Sequence, residues 1–343
     1  MYVVRPVEAG DIAALETLAA VTMPGVHTLP KTRDKIEQAV ERSIASFAAQ
    51  VDIPSEESYL FVLESPAERK IVGTAAIFAT AGSNGTYFSF RNDVIQQVSR
   101  DLNICHNVHA LTLCSELTAY SQLSSFYIDE AVQSRPEAAL LSRSRLLFAV
   151  QQPQRFGDRF FVPLAGVTDD AGGSPFWDAL GRKFFKMDFL DAERVIGGAR
   201  NRTLIVELMP HYPVYVPLLP GDAQAAMGQI HPSGELAFDL LTAEGFEADE
   251  YIDIFDGGPI LQAHKHALRT FTSSQTLRVR TADDQPVEGA TVNYAIANSA
   301  APAFRAVTLA CPELEGCEAV ALSPEVQDIL RVADGDSVTC VRI

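Results

Sequence analysis

The sequence is short of basic residues: 27 Lys and Arg stand against 44 Asp and Glu, a formal net charge of −17. A surface of that sign repels polyanions, which argues against nucleic acid and anionic membrane as partners, whereas a cationic small molecule is drawn to it. Acidic composition is also a common route to solubility, so charge alone selects no ligand. Cysteine is scarce as well. Cys105, Cys114, Cys311, Cys317 and Cys340 are odd in number and never spaced as CxxC, so neither a disulfide framework nor a zinc or other metal site is expected. No uninterrupted apolar run is long enough to cross a bilayer, and Met1-Tyr2-Val3-Val4-Arg5-Pro6 reads straight into a strand rather than a secretion signal. These absences predict a protein of the reducing cytoplasm.

What is present is the composition of a folded chain, 47% hydrophobic and 21% charged, and 343 residues exceed one ordinary core. Residues 2–7 read as a strand. Asp11 is expected to cap a helix whose apolar positions Ile12, Leu15, Leu18 and Ala19 recur at helical spacing. A second helix is predicted over 31–50, with Ile36, Val40, Ile44 and Phe47 on one stripe. Strands at 59–64 and 71–78 flank a polar turn, and further on come a strand at 124–129, a helix at 137–151 and a strand at 159–164. Ser174-Pro175 is a helix start, Ser at the N-cap and Pro at the first helical position. The phrases at 176–181 and 237–246 each read as a helix stopped by a glycine, which suggests a duplicated helix-strand unit within 174–260. From 273 the texture changes to short strands and turns, including Asp283-Asp284-Gln285-Pro286. The expected organisation is therefore one unit over 1–272 and a small β-barrel-like domain over 273–343.

The predicted order of elements, strand, helix, antiparallel meander, strand, helix, strand, helix, is that of the GCN5-related N-acetyltransferase fold, an α+β class with a mixed sheet flanked by helices. Three stretches carry more information. They are Val206-Glu207-Leu208-Met209-Pro210-His211-Tyr212-Pro213-Val214-Tyr215, then Met227-Gly228-Gln229-Ile230-His231-Pro232, then Tyr251-Ile252-Asp253-Ile254-Phe255-Asp256-Gly257-Gly258-Pro259. Together with Ser174-Pro175-Phe176-Trp177 they closely resemble the arginine N-succinyltransferase family, and within it the alpha subunit of the paired arginine/ornithine enzyme. The resemblance implies transfer of a succinyl group from succinyl-CoA, a co-substrate rather than a bound cofactor, to the α-amine of L-arginine or L-ornithine in arginine breakdown. It implies as partner a paralogous beta subunit or further copies of the chain.

Such a reaction needs a deprotonated amine, donors for the oxyanion and a proton for the departing thiolate. Histidine suits the proton work, and the family's proposed donor falls on His231. His211 and Tyr215, in a Pro-rich segment, are expected to line the acceptor site. The pantetheine arm is expected along the central strand, with Phe126, Tyr127 and Ile128 as its contacts. Pyrophosphate normally sits on a glycine-rich loop at the start of the next helix. Here Gln133-Ser134-Arg135-Pro136-Glu137 has no glycine, a proline that removes one N–H and an added carboxylate, changes that oppose anion binding. Arg135, Arg143 and Arg145 are the available compensating cations. For a guanidinium substrate the candidate carboxylates are Asp253, Asp256, Glu207 and Glu244. Asp256, before two glycines, reads better as a turn former, and Asp253 is balanced between the two roles. Two other readings stay open, a scaffold subunit that does not turn over and an acetyltransferase acting on polyamine or protein amines.

Overall fold

In the computed structural model the described residues are all except 22–28, 31, 84, 134, 170–171, 197–201 and 283–289; the expected turn at 283–286 lies outside them. Fifteen strands are present among the described residues. The first seven are β1 (Val3–Pro6), β2 (Ser58–Ser65), β3 (Lys70–Phe78), β4 (Ser89–Ser99), β5 (Ile104–Cys114), β6 (Ser121–Ile128) and β7 (Arg159–Pro163). They are followed by β8 (Val214–Tyr215), β9 (Glu247–Ile252), β10 (Pro259–His264), β11 (Gln275–Thr281), β12 (Val292–Asn298), β13 (Ala306–Cys311), β14 (Ala319–Leu322) and β15 (Ser337–Arg342). The helices are α1 (Ile12–Val21), α2 (Arg33–Ala48), α3 (Glu130–Gln133), α4 (Pro136–Gln151), α5 (Pro175–Ala179), α6 (Gly181–Phe185), α7 (Phe189–Ile196), α8 (Arg202–Leu208), α9 (Gly221–Ala226), α10 (Glu235–Glu244), α11 (Arg269–Ser273) and α12 (Pro324–Leu330).

All fifteen strands join one hydrogen-bonded sheet in the order β14-β11-β15-β12-β13-β1-β2-β3-β6-β7-β10-β9-β4-β5-β8. Pairing is antiparallel except at β6–β7 and β11–β14. Residues 275–342 make an open run, and it meets the main sheet where Val3 and Val4 of β1 face Val307 and Ala306 of β13. Closure of that run by pairing of β13 with β14 is not seen among the described residues.

The period-2 geometry of strands explains why the centre of the sheet is apolar on both faces. In β2, Tyr59, Phe61 and Leu63 enter one core with Leu140, Leu147 and Phe148 of α4, while Leu60 and Val62 enter another with Leu15 of α1 and Val40 of α2. Phe304 from the loop before β13, Ala306 of β13 and Val341 of β15 belong to the α4 core. A third core gathers around Trp177, packing α5, α7 and α9 against Phe161 and Ile260.

Several expectations need correction. The carboxylate of Asp11 turns inward, accepting from the Arg5 guanidinium at 2.8 Å and from the Glu8 N–H at 2.7 Å. Ile44 stands 40% exposed, so the α2 stripe is buried only at Ile36, Val40 and Phe47. Ser174 does cap its helix, accepting from the Trp177 N–H at 3.2 Å. Gly245 ends α10 at φ 114, but Gly181 does not end a helix in this way. It opens α6, and a Cβ there would lie 2.2 Å from the Trp177 ring, so close packing demands the glycine. The β4–β5 hairpin was not anticipated. Beyond Arg91 and before Ala110 it pairs, among the described residues, only with itself, and Val94, Val98, Leu102 and Ile104 stand exposed along it.

Candidate active site

The parallel pair β6–β7 is joined only at Ser121↔Phe160 and Gln122↔Phe161. Past Gln122, β6 keeps β3 on one side and, among the described residues, has no strand on the other. Its backbone is irregular there. Ser125 adopts φ 52 and the register against β3 shifts between Thr74 and Ala76, a bulge with Thr74 Oγ1 donating to the Ser125 carbonyl at 2.9 Å. The open edge exposes backbone amides and carbonyls to any extended chain that carries amides of its own. Phe126, Tyr127 and Ile128 all lie on this stretch; Phe126 is half-buried against the α4 core, and Tyr127 packs on the α1–α2 side.

The segment carrying His231 is stapled to two neighbouring loops. Gly228 N–H donates to the Gly257 carbonyl and His231 N–H to the Ala165 carbonyl, both at 2.8 Å, and Ile230 bridges Gly166. Asp256 ties the loops together, accepting from Gly166 N–H at 2.7 Å through Oδ2 and from Gly258 N–H at 2.8 Å through Oδ1. Added Cβ atoms at Gly166 and Gly258 would lie 2.7 Å and 2.4 Å from backbone atoms, so only glycine admits this approach. Met227 packs against the Trp177 core and Ile230 against the α4 core, which puts His231 at the seam between them.

The half-buried imidazole has a defined orientation. Its Nδ1 accepts from the Ser233 N–H at 3.2 Å, with Ser233 Oγ 2.8 Å away. A backbone N–H can only donate, so the neutral ring carries its proton on Nε2. Ser233 was not singled out from sequence; its signal is the position two residues after the histidine in His-Pro-Ser, at the start of a helical turn.

The remaining candidates are dispersed. Asp253 is buried, and its Oδ1 accepts from the Phe255 N–H at 2.7 Å. Glu207 is exposed on α8. Glu244 is buried and pairs with Arg143 at 2.9 Å, while its other oxygen accepts from the Thr270 N–H, so it is committed to the fold rather than free for a guanidinium ligand. His211 and Tyr215 are exposed, Tyr215 by 38%, on the chain that runs along β5.

On the β6 side the arginines divide. Arg143 and Arg145 are buried, not displayed on a helix face. Arg145 lies with its guanidinium 5.6 Å from the Phe126 ring centre and its Nε bonded to the Ser142 carbonyl at 3.0 Å; burial lowers its basicity. Arg135 is exposed at the N-cap of α4, 6.0 Å from the Tyr2 ring. Its N–H is spent on the Val132 carbonyl at 3.0 Å, and Pro136 has none to offer. Among the described residues no cluster of three metal-ligating side chains occurs, and no helix is long and apolar enough to cross a membrane.

Comparison with known proteins agrees along the whole chain. A family profile described as arginine N-succinyltransferase beta subunit matches residues 2–270, and one described as the C-terminal domain of that subunit matches 275–342. The arginine N-succinyltransferase subunit alpha of Pseudomonas aeruginosa is 43% identical over 343 residues, covering 100% of both chains. The arginine N-succinyltransferase of Yersinia pestis is 34% identical over 100% of this chain and 98% of its own. The solved structure of arginine/ornithine succinyltransferase subunit AI from Pseudomonas aeruginosa superposes with a TM-score of 0.88 at 41% identity, covering 100% of this chain and 98% of that one. The chain belongs to the arginine N-succinyltransferase family.

Proposed function

We propose that the chain transfers the succinyl group of succinyl-CoA to the α-amine of L-arginine, with L-ornithine as the alternative acceptor, and that residues 1–272 do so in the manner of GCN5-related N-acyltransferases. The free amine attacks the thioester carbonyl, a C–N bond forms and the C–S bond breaks; Nε2 of His231 gives the CoA thiolate its proton and recovers one from the amine nitrogen, so the ring ends the turnover neutral, as it began. The observation that carries this reading is the stapled loop at 227–231, which fixes the ring and leaves the proton on the nitrogen that Ser233 does not occupy. Phe126, Tyr127 and Ile128 offer the pantetheine arm a strand edge, and His211, Tyr215 and Asp253 are the proposed acceptor-side residues. Five free cysteines suit a cytoplasmic setting.

A second reading is supported by the start of α4. The Arg135 amide is internally bonded, Pro136 has no N–H, and one carboxylate oxygen of Glu137 is enclosed there without a hydrogen-bond partner. That is a poor seat for a pyrophosphate, and it favours a subunit that relies on a paralogous partner for acyl-CoA. Val94, Val98, Leu102 and Ile104 on the hairpin, with Tyr212 and Leu218 beside β8, supply an apolar surface for such a partner or for a second copy.

The test is release of free thiol from succinyl-CoA, measured with and without arginine, for the chain alone and with its partner subunit. Arginine-dependent release that falls by at least about a hundredfold in His231→Ala is expected. Unchanged turnover in that variant would remove His231 from the mechanism. Micromolar binding of succinyl-CoA by the lone chain in calorimetry would remove the scaffold reading.

A further inference from the structure

Between β1, α2, the loop before β13 and the end of α12 lies a cavity of about 400 Å³ whose lining does not include His231. One wall is apolar, made by Ile44 and Phe47 of α2 with Pro302 and Phe304 opposite. The other is cationic, with Arg305 and Arg331 contributed by the C-terminal unit and Arg5 by β1. Glu8 is the single carboxylate among the described lining residues.

The three arginines are not equivalent. Arg5 is satisfied by bonds to both oxygens of Asp11, at 2.8 and 3.0 Å, and by an ion pair with Glu64. Arg305 is half-buried, and the hydrogen bond of its guanidinium is a long one, 3.4 Å from Nη1 to the Ile329 carbonyl. Arg331 sits at the end of α12 at φ 57, a left-handed position where glycine is the relaxed choice. Among the described residues neither Arg305 nor Arg331 is in an ion pair, whereas Arg33, Arg91, Arg143, Arg182 and Arg342 each have a carboxylate partner. The Arg305 guanidinium is held below its ordinary basicity by burial first and then by Arg331 and Arg5, with Glu64 and Glu8 opposing. What sets Arg305 and Arg331 apart is their place side by side in the lining of one cavity. Arg305 is half-buried beside two other guanidinium groups and Arg331 is exposed beside it, so an anion entering the cavity offsets a local excess of positive charge that Glu8 and Glu64 only partly balance.

We propose that this cavity binds a small carboxylate with an aliphatic body, the carboxylate bridging Arg305 and Arg331 and the hydrocarbon lying against Ile44 and Pro302. Guanidinium groups present paired N–H donors that match the two oxygens of a carboxylate. The apolar wall distinguishes such a ligand from an inorganic anion, and the volume is within the range of small-molecule sites. Because the lining comes from α2 and β1 and from the loop before β13 and the end of α12, a bound ligand ties the two parts of the chain together.

The experiment is calorimetry and thermal shift on the full chain with succinate, glutarate, butyrate and inorganic phosphate as separate probes. The organic acids are expected to bind and to raise the melting temperature. Arg305→Gln and Arg331→Gln are each expected to weaken binding by at least about tenfold, as loss of a charge-assisted hydrogen bond implies. His231→Ala should leave it unchanged, which separates this site from the catalytic one. Without ligand, both arginine variants should melt no lower than the parent, since each removes a repulsion. Arg305→Lys should keep partial binding, which guards against a variant that merely misfolds. The proposal is overturned if none of the organic acids binds, if binding is indifferent to both arginines, or if phosphate binds as tightly as the organic acids.

Discussion

His231 owes its orientation to a neighbour two residues away. Ser233 presents its N–H, and its hydroxyl, to Nδ1. Replacing Ser233 by alanine keeps the backbone donor but loses the hydroxyl, so the ring is held by one contact instead of two. Turnover is expected to fall by roughly tenfold, the worth of one hydrogen bond, with KM for succinyl-CoA little changed. Steady-state kinetics of Ser233→Ala checks this, and a shift in KM alone would count against an orienting role. The cysteines separate by burial in the same residue-by-residue way. Burial pushes the Cys340 thiol up to about 12 and the Cys311 thiol up to about 11. Both therefore stay protonated at pH 8, where the exposed Cys105 and Cys317 can be reached. Mass spectrometry after iodoacetamide treatment of the native protein at that pH should find label on Cys105 and Cys317 and none on Cys311 or Cys340.

Among the elements, α4 and α10 are clamped by an ion pair that neither helix announces in sequence. Arg143 and Glu244 are both nearly excluded from solvent and meet at 2.9 Å. Removing one partner strands the other, so Arg143→Ala is expected to cost about 3–5 kcal/mol in urea denaturation. Arg143→Met combined with Glu244→Leu should recover most of that loss; a double variant as unstable as the single would show that the charges themselves are required. The reason arginines in α4 escaped a sequence reading is that charge does not report burial. Conversely β2, β3 and the helix at 136–151 were legible because burial on both sides writes apolar runs, bounded by polar turns, into sequence. The β4–β5 hairpin lacks a buried face along its outer half, so Asp93-Val94-Ile95-Gln96-Gln97-Val98 carries no alternation to read. The loop around His231 was legible as a motif. Its staple was not, because Asp256 meets Gly166 across 90 residues of chain.

At the scale of the whole molecule, the residues before and after 273, expected as two units, share a core. Phe304 packs edge-on against Phe61 and Phe148, with ring centres 5.4 and 5.6 Å apart, and Ala295, Ala297, Ala306 and Val341 lie in the same cluster. Ending the chain at 272 would uncover those rings and leave the outer edge of β1 without β13. The shortened chain is expected to aggregate rather than give a soluble monomer in size-exclusion chromatography, because a bare apolar edge strand invites pairing with other chains. A soluble, cooperatively melting fragment would contradict this.

The strand β1 also sets a timetable. It leaves the ribosome before β2, which can cover one side of it soon after, but Val3 waits for Val307 on the other. At usual synthesis rates that interval is on the order of half a minute. For that time the growing chain carries a Val-Val edge that still lacks its partner, so the arrival of β13 decides when β1 is safe, and a pause or break in translation before it has consequences far back along the chain.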